Sequence, residues 1–215
     1  MQATIHDLHF NHTRQINAKE SPVTDEDLLL EYRETGNREL YAQLVYRYER
    51  ELFSYLRRYL GNAEMAEDVF QTAFLQVHLK GDQFEAGRRF RPWLYTIATN
   101  AAIDARRRNK KHATVSLDTP REQDHEDVGR LVNLLESGEL GPSDSTVRKE
   151  ANKLVRRTLD QLPESMNAVI QLVYYQGMKY REAADVLDIP VGTVKSRLHS
   201  AVAKLTEVWK TSQVD

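Results

Sequence analysis

The stretch GMKYREAADVLDIPVGTVKSRLHSAVAKL, residues 177–205, decides the fold. Its first part predicts a helix over 180–187, in which Ala183 and Ala184 are small enough for a second helix to cross closely. Pro190 breaks the pattern, because its ring cannot continue a helix and pushes Ile189 toward extended geometry. A second helix restarts near Gly192 and Thr193. At 100° per residue, Val194, Leu198, Ala201 and Leu205 fall on one side. Thr193, Ser196, Arg197, Ser200 and Lys204 fall on the other side or its flank, with Lys195 and His199 at the opposite edge. That outer face can reach base edges and phosphates and holds no carboxylate to repel them. A basic amphipathic helix alone would also suit an ordinary protein surface. The tight Ile-Pro-Val-Gly turn between two short helices points instead to a helix-turn-helix whose second helix enters DNA.

Working outward, helical periodicity extends back to about residue 148. Leu154, Val155, Leu159 and Leu162 line a helix ended by Pro163, and Val169, Ile170, Leu172 and Val173 line another that stops near Gly177. Residues 148–215 therefore read as a small four-helix domain. The segment 112–147 differs: it carries eight acidic residues against two basic ones, with Pro120, Gly129, Gly138, Gly141 and Pro142. This is the composition of a linker, with a short helix possible at 131–135, and a plain spacer role fits it equally well.

Upstream lies a second helical block, 24–111. Thr24 followed by Asp25, Glu26 and Asp27 offers an N-cap and an acidic first turn, and Gly36-Asn37 closes that helix. Leu40, Leu44, Tyr48, Leu52, Tyr55, Leu56 and Tyr59 then recur at helical spacing until Gly61-Asn62. A third helix, about 63–79, turns Ala66, Val69, Phe70, Ala73, Phe74 and Val77 inward. Its outer side, with Glu64, Glu67, Asp68, Gln71, Thr72 and Gln76, is acidic and amide-rich. A solvated face is the default for such a surface, yet beside a nucleic-acid-binding helix it suits a protein partner better than DNA.

The fourth helix, about 91–108, holds the second basic surface. Residues 88–111 contain eight basic side chains, among them Arg88, Arg91, Arg107 and Arg108, against the single acid Asp104. Phe90, Leu94, Ile97, Ala98, Ala101 and Ala105 share an apolar face. Trp93, Thr96, Asn100, Ile103, Asp104 and Arg107 share a different one. Trp, Thr and Asn framed by arginines suit unpaired nucleic acid, because bases stack on aromatics, amides bond base edges and arginines hold phosphates. Taken alone, Trp93 reads as a core anchor, whereas the arginine run reads as a phosphate contact.

Composition bounds what else is possible. The chain has 215 residues, a net charge of −2 and no cysteine, so disulfides and thiolate metal sites are excluded. The charge is uneven, and its distribution bears on partners more than its sum. Few Gly and Pro residues, with abundant Leu, Ala, Glu and Arg, predict an all-α protein. Residues 1–23 form a polar tail without the apolar run of a signal peptide. No stretch approaches the length of a membrane span, so a soluble, cytoplasmic protein is expected. No histidine pairs with a second ligand at metal spacing, and there is no phosphate-binding loop or nucleophile elbow. Neither metal, cofactor nor catalytic residue is expected.

In order and spacing these segments resemble bacterial sigma factors of the sigma-70 family, specifically the compact extracytoplasmic-function (ECF) group. The resemblance rests on AEDVFQTAF at 66–74, FRPWLYTIATN at 90–100, DARR at 104–107, LDQLP at 159–163 and GTVKSRL at 192–198. It implies two helical domains on a tether and a role for each surface. Asp68, Gln71 and Thr72 would dock on the clamp of core RNA polymerase. The stretch from Phe84 to Arg108 would read the −10 element as flipped, unpaired bases, with Phe84, Arg88, Arg91, Trp93, Thr96, Asn100, Arg107 and Arg108 as contacts. Thr193, Lys195, Ser196, Arg197, His199, Ser200 and Lys204 would read the −35 element of promoter DNA in the major groove. An anti-sigma factor commonly masks such surfaces. The resemblance implies an initiation factor and no enzyme. A stand-alone helix-turn-helix regulator is the alternative, and it leaves the 93–108 surface unexplained.

Overall fold

A computed structural model describes residues 23–85, 87–112, 158, 159 and 161–212. The expected N-terminal tail and acidic linker fall outside these residues, apart from Val23 and His112. So do the short helix at 131–135 and the helix placed at Leu154 and Val155. All regular structure among the described residues is helical: α1 (Asp25–Thr35), α2 (Arg38–Leu60), α3 (Ala63–Lys80), α4 (Phe90–His112), α5 (Glu164–Ile170), α6 (Tyr180–Leu187) and α7 (Val191–Ser212). A short 3₁₀ turn, Gly81–Gln83, follows α3, and a π-helical turn, Gln171–Tyr175, follows α5.

The helix ends are set by local chemistry. Thr24 and Asp27 cap α1 reciprocally: the Asp27 N–H donates to Thr24 Oγ1 at 3.1 Å, and Thr24 Oγ1–H donates to the Asp27 carboxylate at 2.6 Å, which satisfies donors that the first turn leaves without partners. Gly36 and Gly61 end α1 and α2 at φ 67° and 69°, a left-handed conformation that costs a side-chain-bearing residue but not glycine. Asn37 and Asn62 then accept from Glu39 N–H at 3.0 Å and Met65 N–H at 2.9 Å and start the next helix at once. The N-terminus of α4 is capped from a distance. Glu26 of α1 accepts the Phe90 N–H at 2.7 Å, placing a carboxylate at the positive end of the helix dipole.

Helices α1–α4 bury the apolar stripes expected for them. Leu28, Leu29, Leu44, Leu52, Tyr55, Leu56, Val77, Phe90 and Leu94 are at most 1% exposed. Phe90 meets Tyr48 at 5.4 Å between ring centres and Trp93 at 6.1 Å. Helices α5–α7 form a smaller unit with Val169, Ile170, Ala183, Val186, Val194 and Ala201 inside. The two units pack against each other in this structure, chiefly through α4 and α6. Tyr95 and Thr99, which lie outside the expected apolar stripe of α4, are fully buried: Thr99 meets Tyr55 of α2 at 2.8 Å, and Tyr95 lies between Glu51 of α2 and Gln176 of the smaller unit.

Candidate nucleic-acid interfaces

The helix-turn-helix forms as its sequence dictates. Helix α6 starts when Glu182 accepts the Lys179 N–H at 2.9 Å. It ends at Asp188, which adopts the left-handed conformation at φ 51°, one that a short polar residue tolerates better than a branched one. Pro190 then offers its carbonyl to the N–H groups of Thr193 (2.8 Å) and Val194 (3.2 Å), so α7 begins directly after it. Val194, Leu198, Ala201 and Leu205 are all buried. Lys195, Ser196, His199 and Lys204 are exposed, and Thr193, Arg197 and Ser200 are half-buried. The Ser196 hydroxyl donates to the Thr193 carbonyl at 3.1 Å. All seven expected residues thus lie on the solvent side or flanks of one helix, with the apolar seam behind them.

Helix α4 distributes its expected residues differently. Arg88, Asn100, Arg107 and Arg108 are exposed, and Thr96 is half-buried with its hydroxyl donating to the Pro92 carbonyl at 2.9 Å. Two residues depart from expectation. Phe84 is 3% and Trp93 6% exposed, and their rings meet 5.1 Å apart in the core. Neither offers a stacking face to solvent here. The loop before α4 folds Phe84 under the Arg33 guanidinium, whose Nη1 donates to the Phe84 carbonyl at 3.1 Å. Arg91 is half-buried and paired with Glu51, donating from Nε at 3.0 Å and also from Nη2. Burial works against the Arg91 charge, but the hydrogen bond and charge of Glu51 outweigh it and raise its pKa further. Burial, then Glu51, pushes the Tyr95 phenol far above its ordinary value, so it remains a neutral donor.

On α3, Asp68, Gln71 and Thr72 are exposed together, with Gln71 Nε2 donating to Glu67 at 3.5 Å. Leu75 and Leu79 stand beside them at 55% and 61% exposure. Sequence reasoning passed over both leucines. Their spacing from Asp68 and Thr72, at steps of three and four, was the available signal. Among the described residues no group of His, Asp or Glu could hold a metal ion, and no helix is long and apolar enough to cross a membrane.

Residues 44–112 match the model of Sigma-70 region 2, and residues 152–205 match that of Sigma-70, region 4. The ECF RNA polymerase sigma factor SigW of Bacillus subtilis is 32% identical over 164 residues, covering 76% of this chain and 86% of the relative. The chain belongs to the ECF sigma factors of the sigma-70 family. The ECF RNA polymerase sigma-E factor of Escherichia coli is 30% identical over 180 residues, covering 83% of this chain and 91% of that protein. Among solved structures, CnrH in complex with the cytosolic domain of CnrY superposes with a TM-score of 0.62 at 26% identity, covering 87% of this chain and 97% of CnrH. The sigma factor RpoE of Bartonella quintana, in complex with the anti-sigma factor NepR, shares the fold: its TM-score is 0.59 at 21% identity, with 79% and 96% of the two chains covered. The all-α, two-unit architecture is thus that of ECF sigma factors.

Proposed function

We propose that this sigma factor binds bacterial core RNA polymerase through the α3 face, reads the −35 element with α7 and captures unpaired −10 bases with α4. The observation that supports it best is the segregation of surfaces. One helix presents acid, amide and leucine; two others, on separate units, present cations. The α3 contact set is Asp68, Gln71 and Thr72, to which the exposed Leu75 and Leu79 are added. The −35 set is Thr193, Lys195, Ser196, Arg197, His199, Ser200 and Lys204. The −10 set is Arg88, Arg91, Thr96, Asn100, Arg107 and Arg108, with Phe84 and Trp93 serving as core anchors beneath it.

Mechanistically, neither DNA contact needs to be tight by itself. Two modules on a tether gain from effective concentration once polymerase holds both sites within reach. Capture of unstacked bases, at a few kcal/mol each, drives strand opening without nucleotide hydrolysis. The protein acts as an initiation factor in the cytoplasm and catalyses no reaction itself, and an anti-sigma factor restrains it by covering these surfaces.

The test is anisotropy of the labelled protein against bacterial core RNA polymerase without DNA. Nanomolar binding, about −12 kcal/mol, is the expected result. Absence of binding, together with tight duplex binding by the protein alone, would replace this reading with a stand-alone regulator.

A further inference from the structure

Helix α1 carries none of the expected contacts, yet it holds both ends of the segment that precedes α4. Glu26 and Arg33 lie seven residues apart, two turns along one stripe of the helix. Between them on that stripe Leu29 is fully buried and Leu30 half-buried, which seats the stripe on the core. At one end the Glu26 carboxylate accepts the Phe90 N–H at 2.7 Å. At the other the Arg33 guanidinium forks: Nη1 donates to the Phe84 carbonyl at 3.1 Å, Nη2 to the Asp82 carbonyl at 3.4 Å and Nε to the Asp82 carboxylate at 3.3 Å. The helix is itself tied to both neighbours. Asp25 accepts from Arg47 and from the Tyr48 hydroxyl of α2, each at 2.6 Å, and the Tyr32 hydroxyl meets His78 Nδ1 of α3 at 2.7 Å.

These contacts remove slack that the chain would otherwise have. The six steps from Phe84 to Phe90 could reach about 20 Å when extended, whereas the two anchors on α1 stand about 10 Å apart. The excess is taken up in a turn, with the Arg88 N–H donating to the Glu85 carbonyl at 3.2 Å and Gly87 at φ 88°. Phe84 and Phe90, whose backbones α1 holds, also pack their rings against Trp93, at 5.1 and 6.1 Å between centres. Arg88 stands exposed between the anchors, and α4, with most of the −10 set, starts directly at the second. The segment thus has fixed feet and an exposed crown. A reading surface discriminates between bases only while its side chains keep their positions to within about 0.5 Å, and contacts from behind supply that precision.

We propose that Glu26 and Arg33 are positioning residues for −10 selection: α1 splints the 84–90 segment, and this sets which unpaired bases α4 accepts. The proposal rests on the promoter reading above. Neither residue belongs to the DNA-contact sets; both act through Arg88 and the first turn of α4. Phosphate attraction, which is independent of sequence, survives loss of the splint, while base discrimination does not. The two anchors differ in what they demand. Glu26 needs only an acceptor, which an amide oxygen also provides. Arg33 needs a planar fork that serves two carbonyls and a carboxylate at once, which a lysine ammonium does not reproduce.

The test is selection by holoenzyme, assembled from the full chain and bacterial core RNA polymerase, from a promoter DNA pool randomised in both elements. Sequencing the bound fraction gives base enrichment at −10, with −35 as an internal reference read by α7. Glu26→Ala and Arg33→Lys should each flatten −10 enrichment about tenfold, the size of one base contact, and leave −35 enrichment and polymerase affinity unchanged. Glu26→Gln should keep the wild-type −10 profile. Because Glu26→Gln and Glu26→Ala remove the same charge, the difference between them isolates the hydrogen bond to Phe90. A wild-type −10 profile in either Glu26→Ala or Arg33→Lys would overturn the two-point splint. So would an equal flattening at −35 or a loss of polymerase affinity, which would make the two residues general supports of the fold. Wild-type holoenzyme that binds the pool but enriches no −10 base would overturn the promoter reading of α4 itself, and the splint with it.

Discussion

Helices α4 and α7 are both long and basic, at 23 and 22 residues, yet the protein uses their polar side chains in opposite ways. On α7 the polar residues are positioned by the apolar seam behind them and by contacts within the helix itself. Lys195, Ser196 and His199 are exposed, and the hydroxyls of Ser196, Thr206 and Thr211 donate to carbonyls of their own helix, at 3.1, 2.9 and 2.9 Å. On α4 several polar residues are structural: Arg91 pairs with Glu51, Thr99 meets the Tyr55 hydroxyl at 2.8 Å, and Tyr95 bridges both units. A helix covered on one side can devote its other side to recognition. A helix covered on two sides must satisfy the polar groups it buries before any remain for a ligand.

The largest expected effect comes from the apolar side of α4. Phe90→Ala removes a ring with no exposure that touches Tyr48, Phe84 and Trp93, at a cost of about 3–5 kcal/mol. Leu198→Ala on α7, where the side chain is 6% exposed, should fall near the low end of about 2–5 kcal/mol. Denaturant melts of the two variants compare the cores directly. Equal losses would mean that α4 is no more deeply anchored than α7.

Recognition should reverse that order. Lys195→Ala with Arg197→Ala should weaken −35-dependent promoter binding by holoenzyme by about 1–3 kcal/mol and flatten its salt dependence. Stability should change by no more than about 0.5 kcal/mol, as expected for surface positions, and polymerase affinity should stay constant. Loss of polymerase binding would remove α7 from DNA recognition. Conversely, Asp68→Ala with Gln71→Ala should weaken core polymerase binding by about 1–2 kcal/mol and leave DNA binding by α7 untouched. Unchanged polymerase affinity would place the contact elsewhere.

The sequence reports one of these helices better than the other. The bounds of α6 and the buried seam of α7 follow from Pro190 and from apolar residues at helical spacing, both local signals. The ends of α1 and α2 follow in the same way from Thr24, Gly36, Asn37 and Gly61. The second covered side of α4 has no local signature. Tyr95 is covered by Tyr55 and Glu51 of α2 and by Gln176, 81 positions away in another unit, and periodicity within one helix reports only that helix. Trp93 and Phe84 show the same blindness in reverse. Aromatics beside arginines match the needs of a base-stacking surface, but they match a core under a cationic rim equally well. Only the packing of the 84–90 loop distinguishes them.

The smallest effect is the one that bears most directly on two-sided burial. Arg91→Ala leaves Glu51, whose side chain is 40% exposed, without the guanidinium that pairs with it. Because both ends of the pair keep partial contact with water, the loss should be about 1 kcal/mol rather than the several expected of a fully buried pair. A double-mutant cycle with Glu51→Ala isolates that coupling. Coupling of about 0.5–1 kcal/mol, against none between Arg197 and any acid of its own unit, would establish that α4 invests an arginine of its reading face in structure. Coupling indistinguishable from zero would mean that Arg91 is as free for DNA as Arg197, and the contrast between the two helices would reduce to their apolar sides alone.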